Sequence, residues 1–359
     1  MFVQEILDHG FRSVSVIGMG KNTGKTFAFN QLVMDAERLG IGLAMTTIGL
    51  DGEERDSLFR HDKPKIMLRP GQIVANAKTL LVDSGIDYEI LGTTGIMTPL
   101  GEVILARALS AGKTVLAGPS TRHELALVKE QLEQVGIDVF FVDGAIDRRS
   151  LSAPMVTDTT VLAVGAEASW DRALLLEKLR LQLRILRLPA WEHPLRFEVG
   201  MHLRNMEAEV KLALLSAQGL QDSITQEDFF DNPNSIAEKA DGSTQAIFVR
   251  GMLTDDVLVK ILTNSTEEVP PIIVVLDPTS VFLSKQGFHK LDSYQAVLNV
   301  LDAIHISAVT VNPFNSRYGH ADPLRLLADV GQAVYPIPAF DMNLGIRYTP
   351  GKEGIDAIS

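Results

Sequence analysis

The chain has 359 residues, 46% hydrophobic and 22% charged, which is enough to bury a substantial core without covalent staples. It contains no cysteine, which excludes disulfides, thiolate zinc or iron–sulfur sites and cysteine nucleophiles, and fits a cytosolic protein. The formal net charge of −12 argues against broad binding to nucleic acid or anionic membranes.

No run of eighteen apolar residues suggests a membrane span. The segment Met1–Arg12, with Glu5, Asp8 and His9, lacks the basic start and apolar run of a secretory leader, so a soluble cytoplasmic protein is expected. In chain order, Ser13–Ile17 reads as a buried strand and Lys25–Leu39 as a helix ending at Gly40. Gly42–Ile48, Ile86–Leu91 and Thr114–Ala117 read as further strands. Arg122–Val135 has amphipathic helical spacing closed by Gly136, and Val139–Val142 and Thr160–Val164 are apolar strand runs. A leucine-rich helix is expected from about Trp170 to Leu186.

Pro189 and Pro194 break the helical pattern, and Asp231–Ser243 reads as a polar loop. Alternation then resumes. Ala246–Val249, Ile272–Leu276, Ser307–Val311 and Ala333–Ile337 are expected strands, with Thr254–Leu262, Tyr294–Ile304 and Pro323–Val330 as helices between them. Buried strands alternating with helices predict an α/β fold, a mostly parallel sheet with helices on both faces. The organisation read from this is a nucleotide-binding domain over residues 1–188. Residues 189–359 then form a second α/β domain or extend the first sheet.

The chemistry concentrates in Ser13-Val-Ser-Val-Ile-Gly18-Met-Gly20-Lys21-Asn22-Thr23-Gly24-Lys25-Thr26. A buried strand runs into a glycine-rich loop and a helix begins at Lys25, the context of a phosphate-binding P-loop. Such a loop turns successive backbone N–H groups toward phosphate oxygens, and the helix start adds positive partial charge. On this reading ATP is the cofactor, Lys25 reaches its β- and γ-phosphates, and the Thr26 hydroxyl coordinates Mg²⁺. The plain alternative is a glycine-rich turn with a chance Gly-Lys-Thr.

Two acidic residues follow expected strands. Asp51, in Thr46-Thr-Ile-Gly-Leu-Asp51-Gly-Glu53, is placed to hold Mg²⁺ or orient the attacking water, or is a turn residue of an Asp-Gly pair. Asp143, in Phe141-Val-Asp143-Gly144, is placed to contact the Mg²⁺ shell, or is a cap or turn. Thr93 and Thr94, in Gly92–Pro99, read equally as ligand contacts or turn formers. In Gly118-Pro119-Ser120-Thr121 the expected role is an N-cap. Asp277-Pro278 and Asn312-Pro313 follow buried strands and read as loop starters. The eight histidines have no ligand-like spacing, so no metal is assigned beyond nucleotide-bound Mg²⁺.

The usual Walker loop has four residues between its first glycine and Gly-Lys-Thr, whereas here Gly18 and Gly24 enclose five. That longer loop resembles dethiobiotin synthetase and its relatives in the signal-recognition and MinD class. The resemblance implies a loop lysine, Lys21, that touches phosphate across a homodimer, although its offset from Gly24 departs from the family pattern. Ile17–Thr26, Thr47–Glu53, Thr98-Pro-Leu-Gly-Glu-Val103, Leu116-Ala-Gly-Pro-Ser120 and Val142-Asp-Gly-Ala-Ile-Asp-Arg148 together resemble the KamB-type subunit of the lysine 5,6-aminomutase reactivase. The resemblance spans roughly the first 170 residues. It implies an ATPase that helps exchange damaged cobalamin in an adenosylcobalamin-dependent aminomutase, working with a second reactivase ATPase subunit in lysine degradation. Two rival readings stay open: an ATP-dependent ligase or kinase acting on a small molecule, and a nucleotide-binding adaptor without turnover.

Overall fold

The computed structural model describes residues 2–48, 65–144, 154–205, 207, 209–217, 219–232, 234–240, 243–264, 271–349 and 354–357. The first stretch holds α1 (Phe2–Asp8), β1 (Ser13–Gly18), α2 (Lys25–Arg38) and β2 (Leu43–Thr47). Next come β3 (Ile66–Leu68), β4 (Ile73–Ala77), α3 (Lys78–Asp83), β5 (Tyr88–Thr98), β6 (Gly101–Ala108) and β7 (Gly112–Thr114). They are followed by α4 (Arg122–Val135), β8 (Val139–Asp143), β9 (Thr159–Gly165), α5 (Arg172–Leu186) and α6 (Arg196–Asn205). The middle of the chain forms β10 (Val210–Ser216), β11 (Gly219–Thr225), α7 (Gln226–Asp231), α8 (Ser235–Lys239), β12 (Ala246–Val249) and β13 (Leu253–Thr254). After these lie α9 (Asp255–Thr263), β14 (Ile272–Val275), β15 (Val281–Phe282), α10 (Lys285–Ser293) and β16 (Val297–Val300). The last stretch holds β17 (Ile306–Asn312), β18 (Phe314–Asn315), β19 (Gly319–His320), α11 (Pro323–Val334), β20 (Ala339–Asp341), β21 (Ile346–Thr349) and β22 (Gly354–Ala357).

The chain divides into two units, one of residues 1–180 with 305–359 and one of residues 181–304. This division differs from the 1–188 and 189–359 read from sequence. Residues 181–304 make a separate α/β unit, and residues 305–359 return to extend the first sheet.

The first unit is built on an eleven-stranded sheet in the order β22-β21-β20-β17-β9-β1-β8-β2-β4-β6-β5. The seven strands from β20 to β4 are parallel, and antiparallel strands complete each edge. Every residue of β1 and of β9 is buried, as a parallel strand covered on both faces requires. Alternation along the strands splits the core into two layers. On one face Val14, Val16, Met45, Val74 and Phe141 pack with Phe29, Leu32 and Val33 of α2 and Phe2 of α1. On the other, Ala44, Ala75, Phe140 and Val142 pack with Leu125, Val128 and Leu132 of α4. The protein is therefore α/β, with a large, mostly parallel sheet covered on both faces.

Helix α4 shows why its sequence starts and stops where it does. The Thr121 side chain accepts from Glu124 N–H, and the Glu124 carboxylate accepts from Thr121 N–H at 3.0 Å. This reciprocal box satisfies two otherwise orphaned donors, and the helix closes at Gly136. The capping role expected of Thr121 is the one it performs.

The second unit has a five-stranded sheet, β11-β10-β12-β14-β16, with β12, β14 and β16 parallel. Leu258 and Ile261 of α9, Phe288 and Leu291 of α10 and Phe229 of α7 cover one face. Trp191 and, from α6, Val199 and Leu203 cover the other.

Five expectations need correction. The polar stretch Asp231–Ser243, read as a loop, contains helix α8 (Ser235–Lys239), and of the expected strand Thr114–Ala117 only Thr114 is in a strand, at the end of β7. Tyr294–Ile304 is not a helix: Val297–Val300 is strand β16, paired in parallel with β14. Ala333 and Val334 end α11 rather than beginning a strand, and the strand starts later, at Ala339. The expected loop Gly92–Pro99 is largely strand. Thr93 and Thr94 lie within β5, whose register against β6 shifts between Thr93 and Met97. There the Thr94 hydroxyl donates to Val103 O at 2.8 Å and accepts from Ile96 N–H, a turn-forming role. Among the described residues no helix is long and apolar enough to cross a membrane.

Candidate functional site

The central strand β1 delivers the glycine-rich loop to the carboxyl edge of the parallel strands. Register places Gly18 beside Ala163, Val16 beside Asp143, Thr47 beside Asp143, and Asn312 beside Gly165. The ends of β1, β2, β8, β9 and β17 thus share one edge, where ligands bind in open α/β sheets.

Between Gly18 and Lys25 the backbone doubles back. Asn22 (φ 58°) and Gly24 (φ 94°) take left-handed conformations. Gly24 occupies the N-cap of α2 and has no side chain to cap the helix. Uncapped first-turn N–H groups at a helix start offer themselves to an anion. The loop is braced from within and behind. The buried Thr23 hydroxyl donates to Gly20 O at 3.0 Å, and Met19 N–H donates to Ala163 O at 3.0 Å. At the end of β9, Gly165 lies so close to the loop that an added Cβ would sit 2.7 Å from Thr23 Cα. A Cβ at Gly24 would meet Asn312 Cβ at 2.7 Å. Glycine is needed at both places, by close backbone approach and, at Gly24, also by its φ.

Lys25 and Asp143 face each other across this mouth. Lys25 Nζ lies 2.9 Å from Asp143 Oδ1, and their side chains are 12% and 19% exposed. Lys25 Nζ also donates to Gly144 O. Asp143 Oδ1 is buried and, among the described residues, its polar contact is this ion pair with Lys25. The backbone around it is fixed: Asp143 O accepts from the Thr47 hydroxyl at 2.8 Å and from Ile48 N–H at 3.2 Å, and Gly144 N–H donates to Val16 O at 2.9 Å. Phe29, one turn into α2, meets Phe141 of β8 edge-on with centroids 6.3 Å apart. Such a pair contributes about 0.5–1.5 kcal/mol beyond its burial. It also locks the helix that carries Lys25 to the strand that carries Asp143.

The structure therefore brings Gly18, Gly20, Lys21, Asn22, Thr23, Gly24, Lys25, Thr26 and Asp143 to one place. Lys21 and Asn22 are exposed and Thr26 is half-buried. Asp51 lies outside the described residues, as do parts of the Thr47–Glu53 and Val142–Arg148 segments. Asp277 belongs to the second unit, where its carboxylate caps the turn Pro278–Ser280 by accepting from Thr279 N–H at 2.9 Å. Among the described residues no three His, Asp or Glu side chains gather in a metal-holding cluster.

Sequence reading missed one feature of this edge. Beside Gly24 a cavity of about 250 Å³ opens, lined in part by Phe27, Asn312, Phe314, His320, Met342 and Asn343. Its signal was present in Asn312-Pro313, which follows a buried parallel strand. Only the register of β17 against β9 places that strand end against the loop.

Comparison with protein-family models, with curated proteins and with solved structures returned no match to this chain.

Proposed function

We propose that this chain binds ATP with Mg²⁺ at Gly18–Thr26 and hydrolyses it. The observation that carries the reading is the Lys25–Asp143 pair at the open end of a glycine-braced loop. A half-buried ammonium beside an uncapped helix start has the right charge for a polyphosphate, and Asp143 offsets that charge. Arrival of phosphates lets Lys25 exchange one anion for another, so the site need not leave a cation uncompensated at any stage.

Release of Lys25 would free Asp143 Oδ1, a buried oxygen with no hydrogen-bond donor among the described residues. With the Thr26 hydroxyl it would supply hard oxygen donors of the kind Mg²⁺ takes together with phosphate oxygens and water. Bound there, the metal would neutralise charge on the β- and γ-phosphates. Asp51 is proposed as the further acidic group, orienting the attacking water.

For the biological role we propose reactivation of an adenosylcobalamin-dependent aminomutase together with a second ATPase subunit. This finer reading is supported by the sequence segments that resemble the reactivase subunit. The test is ATP turnover by the purified chain with and without a purified aminomutase of this kind. Turnover that rises with the mutase is expected. Stimulation by a small carboxylate instead would assign the chain to ligase or kinase chemistry, and binding without any turnover would make it an adaptor.

A further inference from the structure

We propose that the surface around Trp170 and Tyr318 docks a protein partner through an acidic segment that carries a branched aliphatic side chain. The proposal goes beyond the nucleotide reading and does not depend on it. Trp170 precedes α5, and Tyr318 sits in the hairpin of β18 and β19. Their rings stack with centroids 5.1 Å apart and planes 27° apart, yet stay 42% and 52% exposed. Two rings stacked in water make a contiguous apolar patch rather than scattered exposure. Leu174, one turn on from Trp170, and Leu324, in the first turn of α11, are exposed as well. The hairpin is held firmly. Buried Asn315 donates through Nδ2 to Ala166 O at 3.0 Å, and its Oδ1 accepts from Arg317 N–H and Tyr318 N–H at 3.0 Å each. Ser316 donates to Glu167 through its N–H at 2.7 Å and its hydroxyl at 2.6 Å. A surface fixed in this way loses little freedom when a partner covers it.

Beside Trp170 a cavity of about 80 Å³ opens, with Leu175, Ala321 and Leu326 in its apolar lining and Arg172 and Arg325 in its polar lining. Clefts that bury a free small molecule run to roughly 300–1,000 Å³. This one is too small for that, but it has room for one aliphatic side chain presented by a partner. Charge sets what flanks that side chain. Arg172 is paired with Asp329 at 2.9 Å. Arg317 lies over the Tyr318 ring, and among the described residues neither it nor Arg325 forms an ion pair. The neighbouring carboxylates are engaged from within: Glu167 by Ser316, Asp171 by Leu174 N–H, and Asp322 by Leu324 N–H and Arg325 N–H. Arg325 also stands in the first turn of α11, the helix end where the dipole disfavours a cation, so helix stability does not account for it. The two guanidiniums are left to meet carboxylates from outside. Trp, Tyr and Arg around a small desolvated pocket is the composition of an interface hot spot. The net charge of −12 opposes nucleic acid or an anionic membrane as the occupant.

The test follows Trp170 emission in the full chain as a peptide is added. The chain's other tryptophan, Trp191, is buried and supplies a constant background. The probe is the peptide Glu-Asp-Glu-Leu-Glu-Asp-Glu. It is compared with one peptide carrying alanine for the leucine and another carrying lysine at every acidic position. The acidic leucine peptide should shift the emission to the blue with a Kd below about 1 mM, the alanine peptide should bind about tenfold more weakly, and the lysine peptide should not bind. The double variant Arg317→Glu, Arg325→Glu should lose at least tenfold in affinity for the acidic peptide and gain affinity for the lysine peptide. Both arginines are exposed, so their reversal leaves the core untouched. Tyr318→Ala, also at an exposed position, should weaken the acidic peptide about tenfold without reversing the charge preference. The proposal is overturned by no shift with the acidic peptide, by an equal shift with the lysine peptide, or by parental affinity in the variants. A blue shift on concentrating the chain alone would give the surface to a second copy, and an equal shift with free leucine would give the cavity to a small molecule. Either result overturns it too.

Discussion

Gly165 offers the sharpest perturbation of the loop because it touches no ligand in the proposed site. An alanine Cβ there would lie 2.7 Å from Thr23 Cα, 2.9 Å from Thr23 O and 3.0 Å from Thr23 C. All three atoms are backbone, so no side-chain end can swing away. Ordinary contact begins near 3.4 Å, so the loop must retreat by about 0.7 Å. Overpacking of this size costs roughly 1–3 kcal/mol. If that cost falls on the binding-competent loop, ATP affinity drops by a factor of roughly 5–150. Calorimetry at 25 °C measures the drop, and a circular dichroism melt confirms that Gly165→Ala still folds. Gly92→Ala is the control: no atom lies within 4 Å of its Cβ, so it should bind ATP like the parent. If Gly165→Ala folds and binds ATP with parental affinity, the argument that β9 braces the phosphate loop is refuted.

Lys25→Ala removes the phosphate-facing cation and leaves Asp143 without its ionic partner, so ATP affinity should fall about a hundredfold or more by calorimetry. Asp143→Asn should do the reverse in the absence of metal. With its competitor neutralised, Lys25 binds ATP at least as tightly as in the parent, while Mg²⁺-dependent hydrolysis falls at least tenfold in a phosphate-release assay. Asp158 probes stability at a distance from the loop. Burial raises its pKa, but hydrogen bonds from Lys129, from Arg12 N–H and from Ser13 outweigh that effect and hold it below the ordinary 3.8. The unfolded chain therefore takes up this proton first as pH falls. Its stabilisation is full above about pH 3.8 and is lost as pH drops through the lower folded value. Asp158→Asn should be less stable than the parent in urea at pH 7, and the gap should narrow steadily below pH 3.8.

Where local pattern and long-range packing agree, the fold could be read directly. Val14–Gly18 is apolar and β-rich, Gly24 and Lys25 mark a helix start, and β1 and α2 appear where those signals put them. The same holds for α4, whose Thr121 and Glu124 encode its capping box. Residues 294–304 fail because Ala296, Val297, Leu298, Val300, Leu301 and Ile304 satisfy helical and strand spacings alike. Pairing of Val297–Val300 with Ile272–Val275 decides the matter, and no local signal contains that pairing. Ala333 and Val334 are apolar enough for a strand, yet they complete the buried face of α11 with Leu326, Leu327 and Val330. At the site, Lys25 was legible because a motif carries it. Its contact with Asp143 depends on β8 lying next to β1, and Asn312 reaches Gly24 only because β17 joins the same sheet after the entire second unit has intervened.

A crystal structure of the chain with Mg²⁺ and a non-hydrolysable ATP analogue bears most directly on the nucleotide assignment. The expected result is a β- and γ-phosphate cradled by the backbone of residues 18–26, with Lys25 Nζ moved off Asp143 and onto them. A nucleotide bound elsewhere, with the 2.9 Å Lys25–Asp143 contact intact and the loop mouth closed, would contradict it.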